Sequence, residues 1–281
     1  METAETDDKV QPGLNQVPET MLWTLHNRAS EALRPDGILV DQKALAIYRS
    51  LDYDYEKAFG AADGSHAQRS LIFDKELRAF LDEAPNGVII NLGEGLETQR
   101  YRLDSPESLW VTVDLPDGIA IRERFIQPDE RHWHIPASAL DESWMDKVPE
   151  GRPVYITAQG LLMYFTPGEV EQFIKTLARR FPGAWLTFDH IPQVLSKRSM
   201  KGWKKTAHYT TPKMPWGVDM DDLKLKLKAW VPNVQQLESI RFTMPRGPWR
   251  VLGPVFLSIP FLRKLAPGIT RVRFPSHKKN S

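Results

Sequence analysis

The apolar positions of this chain follow two periods that take turns. Short runs of β-branched and aromatic residues fall at 88–92, 109–114, 132–136, 153–158 and 185–189. Each reads as a strand. Between and before them the apolar residues recur every three or four positions, as on one face of a helix. Met21, Leu22, Leu25, Ala29 and Leu33 do so in 18–33, and Ala44, Ile47 and Tyr48 in 41–51. Leu71, Ile72, Leu77, Phe80 and Leu81 form a stronger stripe over 68–83. Segments 117–125 and 144–148 are also helical in pattern, and 166–181 is the clearest helix. There Thr166 can cap, Pro167 suits the first turn and Glu169 completes a capping box. Strands alternating with helices predict a doubly wound α/β domain with a mostly parallel sheet.

The alternation breaks at 190–232. Two charged helical stretches, 195–205 and 221–230, flank a loop rich in Tyr, Thr and Pro. This predicts a helical lid over the carboxyl edge of the sheet. Runs 234–242 and 249–257 are expected to supply the last strands. The domain plan is then a disordered tail (1–17) and one domain (18–275), closed by a basic tail (276–281). Within the domain, 18–84 is an N-terminal helical part, 85–189 a ligand-binding core, 190–232 the lid and 233–275 the last strands.

Composition narrows the function. Lys plus Arg number 37 against 36 Asp plus Glu, a balance that speaks against a nucleic-acid partner. The absence of cysteine excludes disulfides, thiolate metal sites and Cys nucleophiles, and fits a cytoplasmic address. No metal-ligand spacing is present. The polar N-terminus does not read as a signal peptide. No apolar run reaches the roughly 20 residues of a spanning helix, so no membrane partner is expected. The best candidate, 251–262, is cut by Pro254 and Pro260.

The candidate chemistry lies after the first strand. Gly93 and Gly95 follow Leu92 directly, and a polar, helix-compatible run follows them. Strand, glycine turn and helix is how an open α/β sheet presents a nucleotide. The next strand ends in Asp114, whose carboxylate can accept from both hydroxyls of a ribose. Position 98 is Thr, so the third glycine of the dinucleotide fingerprint is missing and a dehydrogenase is disfavoured.

Four motifs in order then carry a resemblance. They are Asn-Leu-Gly-x-Gly-Leu-x-Thr-x-x-Tyr-Arg-Leu at 91–103, Val-Asp-Leu-Pro at 113–116, Gly-Leu-Leu-Met-Tyr-Phe-Thr-Pro at 160–167 and Trp-Gly-Val at 216–218. From about 19 to 242 the chain resembles the leucine carboxyl methyltransferase family, in its bacterial polyketide O-methyltransferase branch. The resemblance implies a class I S-adenosylmethionine-dependent enzyme with a seven-stranded, Rossmann-like sheet and a cap. It places Gly93 and Gly95 under the methionine part of the cofactor and Asp114 on the ribose. It gives Arg69 the cofactor carboxylate, Leu140 and Asp141 the adenine side, and Gln159 and Gly160 the neighbourhood of the methyl group. Tyr164 would face the acceptor. Three residues depart from the family pattern: Glu94 between the glycines, Glu97 for Asp and Gln159 for Glu.

Methyl transfer to a hydroxyl needs a base, whereas transfer to a carboxylate does not. His190, just after the fifth strand, is the catalytic candidate, with His208 and Asp189 as alternatives. Trp203, Tyr209 and Trp216 favour a small apolar or aromatic, polyketide-like acceptor. Lys204, Lys205 and Lys213 would instead suit a protein C-terminal carboxylate. Glu94 and Gln159 leave open a catalytically weak, cofactor-binding interaction protein. The oligomeric state is open, a homodimer included.

Overall fold

The computed structural model describes residues 19–103 and 105–276, so the expected tails lie outside the described residues except for Ser276. Four helices come first: α1 (Thr20–Ala32), α2 (Gln42–Ser50), α3 (Tyr55–Phe59) and α4 (Ser65–Glu83). The sheet then alternates with helices as β1 (Val88–Leu92), β2 (Leu109–Asp114), α5 (Pro116–Arg122), β3 (His132–Pro136), β4 (Val154–Ala158), α6 (Pro167–Arg180) and β5 (Trp185–His190). The chain ends with α7 (Gln193–Met200), α8 (Met220–Trp230), β6 (Gln236–Ile240), α9 (Pro248–Ser258), α10 (Pro260–Arg263) and β7 (Gly268–Arg273).

The seven strands lie in the order β3-β2-β1-β4-β5-β7-β6. β1 to β5 are parallel, with Val88 opposite Leu109 on one side and Val154 on the other. β7 runs antiparallel to both β5 and β6. Both faces of the central strands β1, β2, β4 and β5 are covered, which is why they read as near-continuous apolar runs. Val88, Ile90, Val111, Ile156 and Leu186 pack with Trp144, α6 and α8 on one face. Ile89, Trp110 and Tyr155 pack with Leu77, Phe80 and Leu81 of α4 on the other. A third cluster joins α1, α2 and α3 through Leu22, Leu25, Ile47 and Phe59. The capping box of α6 is present in full.

Three expectations need correction. The run 249–257 is helix α9, not a strand. A continuous apolar stretch does not distinguish the two periods, and here Gly247 at φ 69° and Pro248 start a helix. The last strand is β7. The polar run after Gly95 is not a helix either: only a 3-10 turn, Gln99–Tyr101, forms there. Glu97, Thr98 and Gln99 are all buried and turned into a charge network, so no solvent-facing side remains for an amphipathic helix. Finally, the insertion divides. Leu195 of α7, Trp203 and Met214 reach a cavity, while Leu223 and Leu227 of α8 belong to the main core.

Candidate active site

In the strand order the chain winds one way from β1 through β3 and the other way from β4. Such a reversal leaves a crevice at the carboxyl ends of the strands, where open α/β sheets take their ligands. A cavity of about 600 Å³ opens there, within the usual ligand-site range of about 300–1,000 Å³. Its floor is the glycine turn after β1, the end of β2, and Gln159–Gly160 after β4.

Gly93 and Gly95 sit at φ 62° and 53°, a left-handed conformation natural to glycine. A Cβ at Gly93 would come within 2.8 Å of Leu161, and one at Gly95 within 2.9 Å of Met21. The turn thus needs glycine for its own shape and for close packing of chain on chain. Asp114 holds it from the next strand: its carboxylate accepts from the Gly95 N–H at 2.7 Å and the Leu115 N–H at 2.8 Å. Burial pushes the Asp114 carboxyl up, while these two N–H groups oppose the shift. Each carboxylate oxygen still has a lone pair to offer.

Glu94 is accounted for. Its side chain, 3% exposed, turns away from solvent and pairs with Arg122 at 3.0 Å. It also accepts from Asn91 Nδ2 at 2.9 Å and from the Thr112 hydroxyl. Arg122 completes the clamp by donating to the Gly95 and Glu97 carbonyls at 2.7 and 2.9 Å. The departure therefore brings its own partner and serves as a brace for the turn. Glu97 is braced likewise by Arg102 at 2.8 Å, Arg28 at 3.2 Å and the Ser70 hydroxyl at 2.9 Å. Burial works to raise the Glu97 carboxyl, but Arg28 and Arg102 overcome it and hold it well below the carboxylate range. Arg102 continues to Asp41 at 2.6 Å and Asp74 at 2.7 Å, tying α1, α2 and α4 to the turn.

On the other side of the floor, Arg69 of α4 pairs with Asp189 at 2.8 Å. Asp189 also accepts from the Gly160 N–H at 2.5 Å. Asp189 is thus committed to placing Arg69 and is not a free base. Among the cavity-lining groups that keep a buried polar atom without a hydrogen-bond partner are Arg69 Nε and Gln159 Oε1. One is a donor suited to a carboxylate, the other an acceptor suited to an ammonium. An amino-acid head group presents both.

Of the sequence-derived site residues, Arg69, Gly93, Gly95, Asp114, Gln159, Gly160 and Tyr164 all line this cavity. Three do not. His190 is buried behind the wall, its Nδ1 3.2 Å from the Val218 carbonyl. Its Nε2 lies against Gly268. Burial pushes its imidazole down to about 4. Leu140 packs on the core, and Asp141 caps the following 3-10 turn through the Ser143 N–H. Ser138 and Ala139 reach the cavity in their place, because the chain turns away immediately after them. His208 is exposed. Tyr209 packs on Trp23 and Phe59, and Trp216 lies in the main core. Of the lid aromatics only Trp203 lines the cavity.

The sequence reading missed the contribution of α1 and the start of α4. Thr20, Trp23, Thr24 and His66 all line the cavity. His66 stands one helical turn before Arg69, a spacing that could have drawn attention to it. It packs edge-on against Trp23 with ring centroids 5.2 Å apart. Its Nδ1 is buried and unpartnered. Burial, with help from Arg69, pushes its imidazole well down, so it is neutral. Burial also raises the Tyr164 hydroxyl, which stays protonated.

A family model described as leucine carboxyl methyltransferase matches residues 22–178. The chain belongs to the leucine carboxyl methyltransferase family. The tetracenomycin polyketide synthesis O-methyltransferase TcmP of Streptomyces glaucescens is 32% identical over 181 residues, which cover 63% of this chain and 67% of TcmP. The S-adenosyl-L-methionine-dependent methyltransferase dpfgK of Gibberella zeae is 28% identical over 197 residues, 64% of this chain and 66% of dpfgK. The chain therefore spans about two thirds of the length of these relatives. A solved structure of a Thermobifida fusca protein, provisionally named a methyltransferase, superposes at TM-score 0.55 with 14% identity, covering 92% of this chain and 99% of that one. This last likeness concerns the fold. Taken with the family match, the methyltransferase is an S-adenosylmethionine-dependent O-methyltransferase.

Proposed function

We propose that the enzyme methylates a hydroxyl of a small, apolar, polyketide-like molecule held between the cofactor and the aromatic end of the cavity. The observation that carries this is the division of the cavity wall. One end has the glycine turn, Asp114, Arg69 and Gln159. The other has Trp23, Leu195, Trp203, Met214 and Phe242. The second end is apolar and suits an acceptor of the same character. The kinship with TcmP, named for polyketide synthesis, supports the same reading.

The residues fit the cofactor. Asp114 would accept from the ribose hydroxyls. Arg69 Nε would donate to the α-carboxylate and Gln159 Oε1 would accept from the α-ammonium. When bound, S-adenosylmethionine supplies a sulfonium methyl carbon for in-line displacement by the acceptor oxygen. The protein's share is position and proton handling. His66, neutral and with Nδ1 unpartnered, is the group we assign to receive the hydroxyl proton, on the Nδ1 lone pair of the tautomer protonated at Nε2. Tyr164, protonated, would orient the acceptor oxygen as a donor.

The protein C-terminal carboxylate reading needs an available cation beside the acceptor. Lys204, Lys205 and Lys213 do not line the cavity. The two guanidiniums that do, Arg28 and Arg69, already pair with Glu97 and Asp189. The test is to offer labelled cofactor with polycyclic phenols and, separately, with peptides carrying a free C-terminus. Label in the phenols is expected, and label confined to peptides refutes the proposal. With an accepted phenol, His66→Ala should lower kcat about 10²-fold or more and remove the acidic limb of its pH profile. A kcat within twofold of the parent and an unchanged profile would remove His66 from the mechanism.

A further inference from the structure

Helices α9 and α10 stand apart from the packing that organises the rest of the molecule. In α9 only Leu257 is buried. Val251, Leu252 and Val255 point the other way around the helix and are 72%, 53% and 58% exposed. Phe261 of α10 and Leu265 just beyond it are 68% and 49% exposed. Trp249 is exposed as well, edge-on to Phe256. Isolated exposed apolar residues are ordinary, but a contiguous group on one two-helix projection marks an interaction surface.

Along the sequence the charge of this last segment is one-sided. From Ser239 to the end of the chain there are nine Lys and Arg and no Asp or Glu, although the whole chain is nearly neutral at +1. Arg246 and Arg263 are tethered to Glu31 and Asp36 of the α1 region and to Asp221 of α8. Arg250 and Lys264 are exposed and have no acidic partner among the described residues.

We propose that the α9–α10 projection docks the enzyme on an anionic lipid surface, with its aliphatic and aromatic side chains entering the interface and its basic residues meeting the head groups. Apolar residues that include Trp and Phe, flanked by Lys and Arg, are what an interfacial helix requires. A fluid bilayer also accepts a convex apolar knob of any outline. A second copy of the chain fits poorly. A two-fold contact would set Arg250 and Lys264, which lack acidic partners among the described residues, against their own copies and bring like charges together. Docking would be peripheral, since no helix among the described residues is long and apolar enough to cross a membrane. It departs from the expectation of no membrane partner, which rested on the lack of a spanning run. The projection leaves and rejoins the fold at Phe242 and Pro267, both on the cavity wall. Docking there would bring the cavity close to lipid, a natural source of apolar acceptors. The docking claim itself does not depend on the acceptor.

Sedimentation with vesicles tests it without any activity measurement. The intact protein should bind phosphatidylglycerol–phosphatidylcholine vesicles and bind pure phosphatidylcholine weakly. Raising the salt from about 0.1 M toward 1 M should release most of it, as screening shortens. The triple variant Val251→Ser, Leu252→Ser, Val255→Ser and the pair Arg250→Glu, Lys264→Glu should each lose at least about tenfold in partitioning while keeping the parental melting temperature. Absence of binding to anionic vesicles overturns the proposal. So does binding that the variants leave unchanged. So does a dimer, seen by light scattering, that the triple variant dissolves in a protein that ignores lipid. Should the triple variant fail to fold, the lipid and salt dependence of the parent still decides.

Discussion

The clamp between Glu94 and Arg122 makes the sharpest demand on the structure. Arg122, 1% exposed, holds one carboxylate and two backbone carbonyls of the glycine turn at once. Arg122→Met roughly keeps the volume and removes these donations together with the one from Nε to His134 Nε2 at 3.3 Å. The Glu94 carboxylate is then left buried with only Asn91 and Thr112 as donors. Breaking one side of a buried pair costs about 3–5 kcal/mol, a large part of the roughly 5–15 kcal/mol that holds a typical domain together. Glu94→Ala should cost somewhat less, because Arg122 keeps its two carbonyl acceptors. In the double variant the buried charges leave together. Its cost should therefore fall at least about 1.5 kcal/mol short of the sum of the singles. Urea unfolding followed by far-ultraviolet circular dichroism, with the slope of the transition unchanged, measures all three. Effects that add to within about 0.5 kcal/mol would mean that the two residues do not act as a pair. Glu94 would then be a tolerated accident rather than a brace.

Two further predictions bear on the same turn. Asp114→Ala should weaken S-adenosylmethionine or S-adenosylhomocysteine binding by about 1.5–3 kcal/mol, read by titration calorimetry, since a charged acceptor for two hydroxyls is lost; unchanged affinity would assign the ribose to another acid. Glu97 titrates below its ordinary 4.5 in the fold, so its ion pairs add stability that is present above that pH and is lost as the pH falls below it. Glu97→Gln should accordingly lower the melting temperature near pH 7 and flatten its decline in acid, and a parallel offset at every pH would contradict the network.

The strands of the parallel core were legible because both their faces are buried. Val88–Leu92 and Leu109–Asp114 begin and end where the apolar runs do. The helix capped by Thr166 was legible because capping chemistry is local. What could not be read is what depends on partners distant in sequence. Glu97, Arg102, Asp41, Asp74 and Arg28 are separately polar residues of the kind normally found on a surface. Only their meeting lets them be buried. Arg69 and Gln159 were found through family resemblance, and the structure adds what resemblance could not: the buried atoms on each that lack a partner. His190 shows the opposite failure. Its place after a sheet strand suggested the active edge, but side chains alternate across a strand. Asp189 takes the cavity side and His190 turns behind it.

The same alternation explains why the cavity is built jointly by the sheet and the helices that precede it. The sheet edge offers Asp114, Gln159 and Asp189, all committed to backbone or to the cofactor end. On the proposed reading a donor or base for the acceptor comes from the helices facing the sheet, where Thr20 of α1 and His66 of α4 line the cavity. These helices are fixed to the glycine turn by Arg28 and Ser70 on Glu97 and by Asp74 on Arg102. The turn is thus tied to α4, which carries both Arg69 and His66. On the proposed roles of Arg69 and His66, cofactor capture and acceptor positioning share one helix and one ion network. This predicts that substitutions in the network, remote from any acceptor, change affinity for cofactor and acceptor together rather than separately.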